Sequence, residues 1–171
     1  GLICKAADAG YKVVILLAGI TENLRQQTQE RIDESIIGIT YKKQGRTVLP
    51  PQRVGVGKDN KELRATSFTS CVNDFVGNHD KIAMSLNSQK SLVVFVIKKN
   101  VSVLQKLHKW LKDQNLDPVK GYIDIPMLLV DDEADNASVN TKKDETDPTK
   151  TNKLIRQICT LFKDTTYVGF T

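Results

Sequence analysis

The sequence is short of several things. It has three cysteines, at Cys4, Cys71 and Cys159, and two histidines, His79 and His108, in 171 residues. The cysteines are scattered and odd in number, with no C-x-x-C pair, so neither a disulfide framework nor a zinc site is expected. Free thiols in a reducing compartment are the simpler reading, and with it a cytoplasmic location. Neither histidine has a spaced metal-ligating partner, and no G-x-S-x-G elbow supports a serine hydrolase. No apolar run is longer than Val13 to Ala18, far below the roughly 20 residues that cross a bilayer. Lys5 and Asp8 interrupt the apolar stretch near the start, so no secretory signal is read there.

What remains is ordinary globular material. Hydrophobic residues make up 40 % and charged residues 26 %, close to the average for compact domains. A chain of this length is one domain and buries roughly 70 % of its unfolded surface. Net charge is +5 and the pI is near 9.1, which is compatible with an acidic partner without demanding one.

Leu2, Ile3, Ala6 and Ala9 share a helical face and Gly10 is a good stop, so the sequence is expected to open partway along a helix of something longer. Tyr11 to Leu17 contains a continuous, largely β-branched apolar run from Val13 onward, the pattern of a strand buried on both faces. Ala18-Gly19-Ile20 makes a tight turn and Thr21 is placed to cap a helix that runs through Glu34, with Leu24 and Ile32 on its inner side. Between residues 36 and 90 the periodicity weakens, and Pro50-Pro51 and Gly55-Val56-Gly57-Lys58 break it; an irregular insertion of loops, short strands and one short helix is expected there. Ser91 to Ile97 is a second two-face strand, followed by an amphipathic helix marked by Val101, Leu104, Leu107, Trp110 and Leu111. Pro126 to Val130 is a third strand. A polar loop from Asn136 to Thr151 leads to a helix marked by Leu154, Ile155, Ile158, Leu161 and Phe162, and Thr165 to Phe170 is a fourth strand. Strands alternating with helices predict an α/β fold: a three-layer parallel sheet flanked by helices, with right-handed crossovers. Functional groups then gather at the carboxyl ends of the strands. Those ends carry Ala18-Gly19, Lys98-Lys99-Asn100, Asp131 to Asp135, and Thr171.

The sharpest pattern is Leu128-Leu129-Val130-Asp131-Asp132-Glu133-Ala134-Asp135. A hydrophobic strand that ends in adjacent carboxylates is how nucleotide hydrolases hold magnesium, since Mg²⁺ keeps several waters and needs few protein oxygens. The next carboxylate can orient or deprotonate the attacking water. Four acids in five residues also repel one another, so a nearby cation or solvent access is expected. The usual companion, a Walker A loop of pattern G-x-x-x-x-G-K-[ST], does not occur. Gly55-Val56-Gly57-Lys58-Asp59 lacks the Ser or Thr after Lys and has neither the strand before it nor the helix after it. A P-loop directly precedes a helix, so it is expected just upstream of Gly1.

Asp132-Glu133-Ala134-Asp135 matches the DEAD box of superfamily-two helicase motors. Leu17 to Thr28 resembles the motif after their second strand, Lys98-Lys99-Asn100 their next phosphate-contacting motif, and Tyr167-Val168-Gly169-Phe170-Thr171 the start of a Gly-Phe-Thr-Ala-Thr-Pro segment. More narrowly, Val130 to Thr141, Val96 to Asn100 and the closing Tyr-Val-Gly-Phe-Thr together resemble the Z-one domain of bacterial endonucleases, large proteins with a helicase-like motor linked to restriction and phage defence. The resemblance implies a RecA-like motor lobe, truncated at both ends, that uses ATP and Mg²⁺ in the intact protein and acts on DNA through backbone contacts. It implies Asp132 as the magnesium-associated carboxylate and Glu133 as the residue that activates the hydrolytic water. Asp135 and Thr171 would couple the nucleotide site to neighbouring motifs, and Thr21, Arg25, Lys98, Lys99 and Asn100 would face the nucleic-acid backbone. The rest of the same polypeptide would supply the P-loop, the second lobe and the nuclease part, so the fragment alone is expected to be inactive. Asp59-Asn60-Lys61, the lone match to a nuclease Asp/Glu-x-Lys, has no supporting strand and reads as chance. The competing expectation is a nucleic-acid-binding or regulatory interaction module that keeps a degenerate motor fold.

Overall fold

The computed structural model describes residues 1–44, 47–59, 65–76, 85–134 and 148–171. Its elements in chain order begin with α1 (Leu2–Asp8), β1 (Val13–Ala18) and α2 (Glu22–Ile32), which continues into a π-helical turn over Asp33–Ile37. Short pieces follow: β2 (Ile39–Thr40), β3 (Lys43–Gln44), β4 (Thr47–Val48), β5 (Gln52–Arg53), α3 (Val56–Asp59) and β6 (Ala65–Ser67). After a 3₁₀ turn at Leu86–Ser88 come β7 (Leu92–Ile97), α4 (Val101–Asn115), β8 (Met127–Asp132), α5 (Pro148–Thr160) and β9 (Thr165–Gly169).

Five strands form one all-parallel sheet in the order β6-β7-β1-β8-β9, with helices on both faces. This is the three-layer α/β architecture of a RecA-like fold. β1 and β7 are buried at all six positions, as their continuous apolar runs require. Alternate residues divide the core. Val13, Ile15, Leu17, Phe95, Met127 and Leu129 pack under α4 and α5, while Val14, Leu16, Val94, Leu128 and Val130 pack with Ala6, Ile32 and Ile37 on the opposite side.

The crossovers share one hand. The connections from β6 to β7, β7 to β8 and β8 to β9 step one way along the sheet and lie on the α4/α5 face. The connection from β1 to β6 steps the other way and lies on the α2 face. That is the pattern a constant right-handed rule produces.

The segment 36–90 holds the short strands β2 to β6 and the one-turn α3; β6 forms one edge of the sheet, and Cys71, Phe75 and Leu86 are core residues. One expectation needs correction. Leu24 is 38 % exposed instead of facing inward; the inner side of α2 is built from Arg25, Gln29 and Ile32. The glycines near Lys58 also have a packing role. Gly38 (φ +84°) and Gly57 meet back to back, and a Cβ on Gly57 would fall 2.0 Å from the Gly38 carbonyl oxygen. A one-turn helix, α3, holds Gly57 there.

Candidate functional site

The carboxyl ends of β1, β7, β8 and β9 meet at one rim of the sheet. β8 is an interior strand, bonded to β1 and β9, and it runs two residues further than the apolar pattern predicts, through Asp132. Strand alternation therefore sends the two aspartates to opposite faces. Asp131 follows Met127 and Leu129 toward α4 and is 1 % exposed; Asp132 is exposed at the strand end.

Asp131 is matched by two groups. Lys99 Nζ, itself nearly buried, lies 2.9 Å from Asp131 Oδ1. Tyr167 Oη donates to Asp131 Oδ2 at 2.8 Å. Burial, and then the bond to that carboxylate, pushes the Tyr167 phenol up to about 12. The main chain ties the same strands together. Lys99 N donates to Gly19 O at 2.7 Å, Phe170 N to Asp131 O at 2.8 Å, and Ala134 N to Phe170 O at 2.8 Å. The repulsion expected of the acid cluster is thus relieved at Asp131 by an internal lysine and at Asp132 by solvent.

Glu133 is the one non-glycine residue with positive φ among the described residues, at +60°. That conformation costs an L-residue roughly 1–2 kcal/mol, and here it has a consequence. The backbone turns the carboxylate back over the β1–α2 turn, so a methyl group on Gly19 (φ +67°) would come within 3.1 Å of Glu133 Oε2. Lys99 Nζ reaches the Glu133 carbonyl at 3.4 Å and helps hold the turn. Gly19 is favoured by its own φ, and the carboxylate above it leaves little room for a side chain.

A second charged cluster lies beside the rim. Arg25, 0 % exposed, donates through Nε and Nη2 to Glu22 Oε1 at 2.8 and 2.6 Å, and through Nη1 to the Ser70 carbonyl at 2.9 Å. Lys98 Nζ lies 3.1 Å from Glu22 Oε2, and Lys98 N donates to Asp74 Oδ2 at 3.2 Å. Burial pushes the Glu22 carboxyl up, but Arg25 and Lys98 outweigh it and hold it below its ordinary value. Asp74 is raised, because burial exceeds the help of its two backbone donors and the nearby cations.

The residues expected to face a nucleic-acid backbone therefore separate. Arg25 and Lys99 are corrections: the guanidinium is enclosed and its donors serve the protein interior, and the ammonium is sealed against Asp131. Lys98 stays partly exposed but is paired with Glu22. Thr21 is exposed and caps α2, accepting from Leu24 N at 3.4 Å, as the sequence predicts. Asn100 caps α4, accepting from Ser102 N and Val103 N. Thr171 is exposed after β9. Asp135 lies outside the described residues, as do His79 and the Asn60-Lys61 pair. Sequence reasoning left out Tyr167 and Asp131 as a functional pair. Asp131 continues the even spacing of Met127 and Leu129 toward α4, and Lys99 that of Phe95 and Ile97, but β9 carries no apolar pattern that would have marked Tyr167.

Among the described residues no group of three or more His, Cys, Asp or Glu comes together to hold a metal ion, and no helix is long and apolar enough to cross a membrane. Comparison of the chain with protein-family models, curated proteins and solved structures returned no match.

Proposed function

We propose that the chain is part of an ATP-hydrolysing motor lobe of the helicase type, in a DNA-acting protein of the Z-one endonuclease kind. One observation carries this reading. Asp132 and Glu133 stand at the carboxyl rim of an interior strand of an all-parallel sheet, and Glu133 is held in a costly backbone conformation that aims its carboxylate over the neighbouring turn. Strain of this kind gathers at functional sites.

The residues fit a hydrated Mg²⁺ of the one-carboxylate type, because Asp132 is exposed while Asp131 is already neutralised by Lys99. Such an ion, when bound, offsets phosphate charge. Glu133 takes the proton of the attacking water or orients it; Lys99, Asp131 and Tyr167 keep the Glu133 turn fixed. The fold also supports a place for the phosphate loop. α1 packs through Ala6 on the α2 face, so a same-handed crossover through α1 into β1 would start from beyond β9. A strand leading into α1 would pair with β9 and bring its following loop to the rim beside Asp132.

The test is ATP hydrolysis by the longer protein that carries G-x-x-x-x-G-K-[ST] ahead of Gly1. Glu133→Gln should lower turnover at least about a hundredfold. Hydrolysis that survives the substitution, or a reading frame with no such motif ahead of Gly1, overturns the proposal. A second reading is a binding or regulatory module that keeps the motor fold without turnover. The Lys99–Asp131 pair favours it, because the buried carboxylate needs no added cation.

A further inference from the structure

The positive charge of the chain is not spread evenly. Of 25 Lys and Arg and 20 Asp and Glu, α4 holds Lys106, Lys109, Lys112 and the single acid Asp113, while α5 holds Lys150, Lys153, Arg156 and no acid. Taking six bases and one acid away leaves nineteen of each in the rest of the chain. The two helices together carry +5, six bases against one acid, while the rest of the chain balances only as a sum.

Those helices are neighbours. Both cover the same face of the sheet, α4 through Leu104, Leu107 and Leu111 and α5 through Ile155 and Ile158. In each helix the three bases recur at i, i+3 and i+6, opposite the buried stripe, and all six are exposed. Successive bases are about 4.5 Å apart along each axis, and packed helix axes run about 9 Å apart. An ordinary solvated helix face mixes both signs, because i,i+4 pairs of opposite charge support it. Here that mixing is nearly absent.

We infer that the outer surface of α4 and α5 is a docking surface for the phosphate backbone of duplex nucleic acid. This surface lies on the helical layer, away from the Thr21 and Lys98 rim, and the inference does not depend on the nucleotide reading. Lysine and arginine heads on flexible stems neutralise phosphates without reading bases, so the binding is sequence-independent and driven by counterion release.

The test uses the 171-residue chain without nucleotide. Binding to a fluorescent duplex of about 20 base pairs is followed by anisotropy against salt concentration. Lys109→Glu/Lys153→Glu is compared with Lys5→Glu/Lys58→Glu, which removes the same charge from exposed sites elsewhere. All four sites are exposed, and thermal unfolding checks that both variants fold. The α4/α5 variant should lose at least about tenfold in affinity, and its log-log salt slope should shrink by about 2, while the control variant keeps the parent slope. Equal losses in both variants, no loss in either, or binding to phosphatidylserine vesicles in place of the duplex would each overturn the inference. None of these outcomes touches the role of Glu133, which is read from ATP turnover.

Discussion

Lys99, just past the end of β7, and Asp131 on β8 form an ion pair at 2.9 Å across β1, which separates the two strands. Both side chains are nearly sealed from water. Removing one partner leaves the other charged and buried, so Lys99→Met should lower stability by about 3–5 kcal/mol. Lys99→Met/Asp131→Leu should recover most of that loss, because two apolar groups leave no orphaned charge. Urea unfolding of the two variants checks the pair; a single variant within about 1 kcal/mol of the parent would contradict it.

Glu133→Gly separates folding from function. Glycine tolerates φ +60° without steric cost, which offsets its larger loss of chain entropy on folding. Stability should stay within about 1 kcal/mol of the parent or rise. ATP turnover in the longer protein should fall as steeply as in Glu133→Gln. A large loss of stability in the glycine variant would show that the turn is held by Glu133 contacts and not merely permitted by them.

Asp33 gives stability a pH dependence of definite sign. Its carboxylate is 2 % exposed at the start of the π-helical turn, and burial pushes its pKa up to about 6, partly opposed by the hydrogen bond from Gln29. The folded state thus holds a proton that the unfolded state has released between about pH 4 and 6. Stability from this group is present below that window and falls as pH rises through it. Asp33→Asn keeps an acceptor for Gln29 and removes the ionisation. It should flatten the slope between pH 4 and 6 and raise stability at pH 7 by up to about 3 kcal/mol. Denaturant midpoints measured across that range provide the comparison.

Gly57→Ala should be among the most damaging small substitutions. The added methyl would overlap the Gly38 carbonyl, and neither backbone can retreat without moving the π-helical turn. A loss of about 2 kcal/mol or more is expected. The exposed neighbour Lys58→Ala should cost less than about 0.5 kcal/mol. Paired thermal melts distinguish a local backbone clash from general fragility of the segment.

The central strands, their parallel arrangement and the two amphipathic helices were legible because each has a burial pattern that matches its period. Val13 to Ala18 and Leu92 to Ile97 admit little but a two-face strand. β6 was not legible: Ala65-Thr66-Ser67 is too short and too polar to signal a sheet strand, and it exists because β7 offers it an edge. Arg25 misled for a related reason. A charged residue on a polar helix reads as solvated, yet here the Ser70 carbonyl and Asp74, distant in sequence, join the neighbouring Glu22 in enclosing it. At the rim, the acids were visible as a cluster, but their division into an enclosed Asp131 and an outward Asp132 depended on where β8 ends.

Phe170 bonds through its amide to the Asp131 carbonyl and through its own carbonyl to Ala134 N. The Glu133 turn is therefore bracketed by a residue one place from the end of the sequence. A force applied to the backbone after Phe170 would reach that carboxylate through two hydrogen bonds, with no side chain as intermediary.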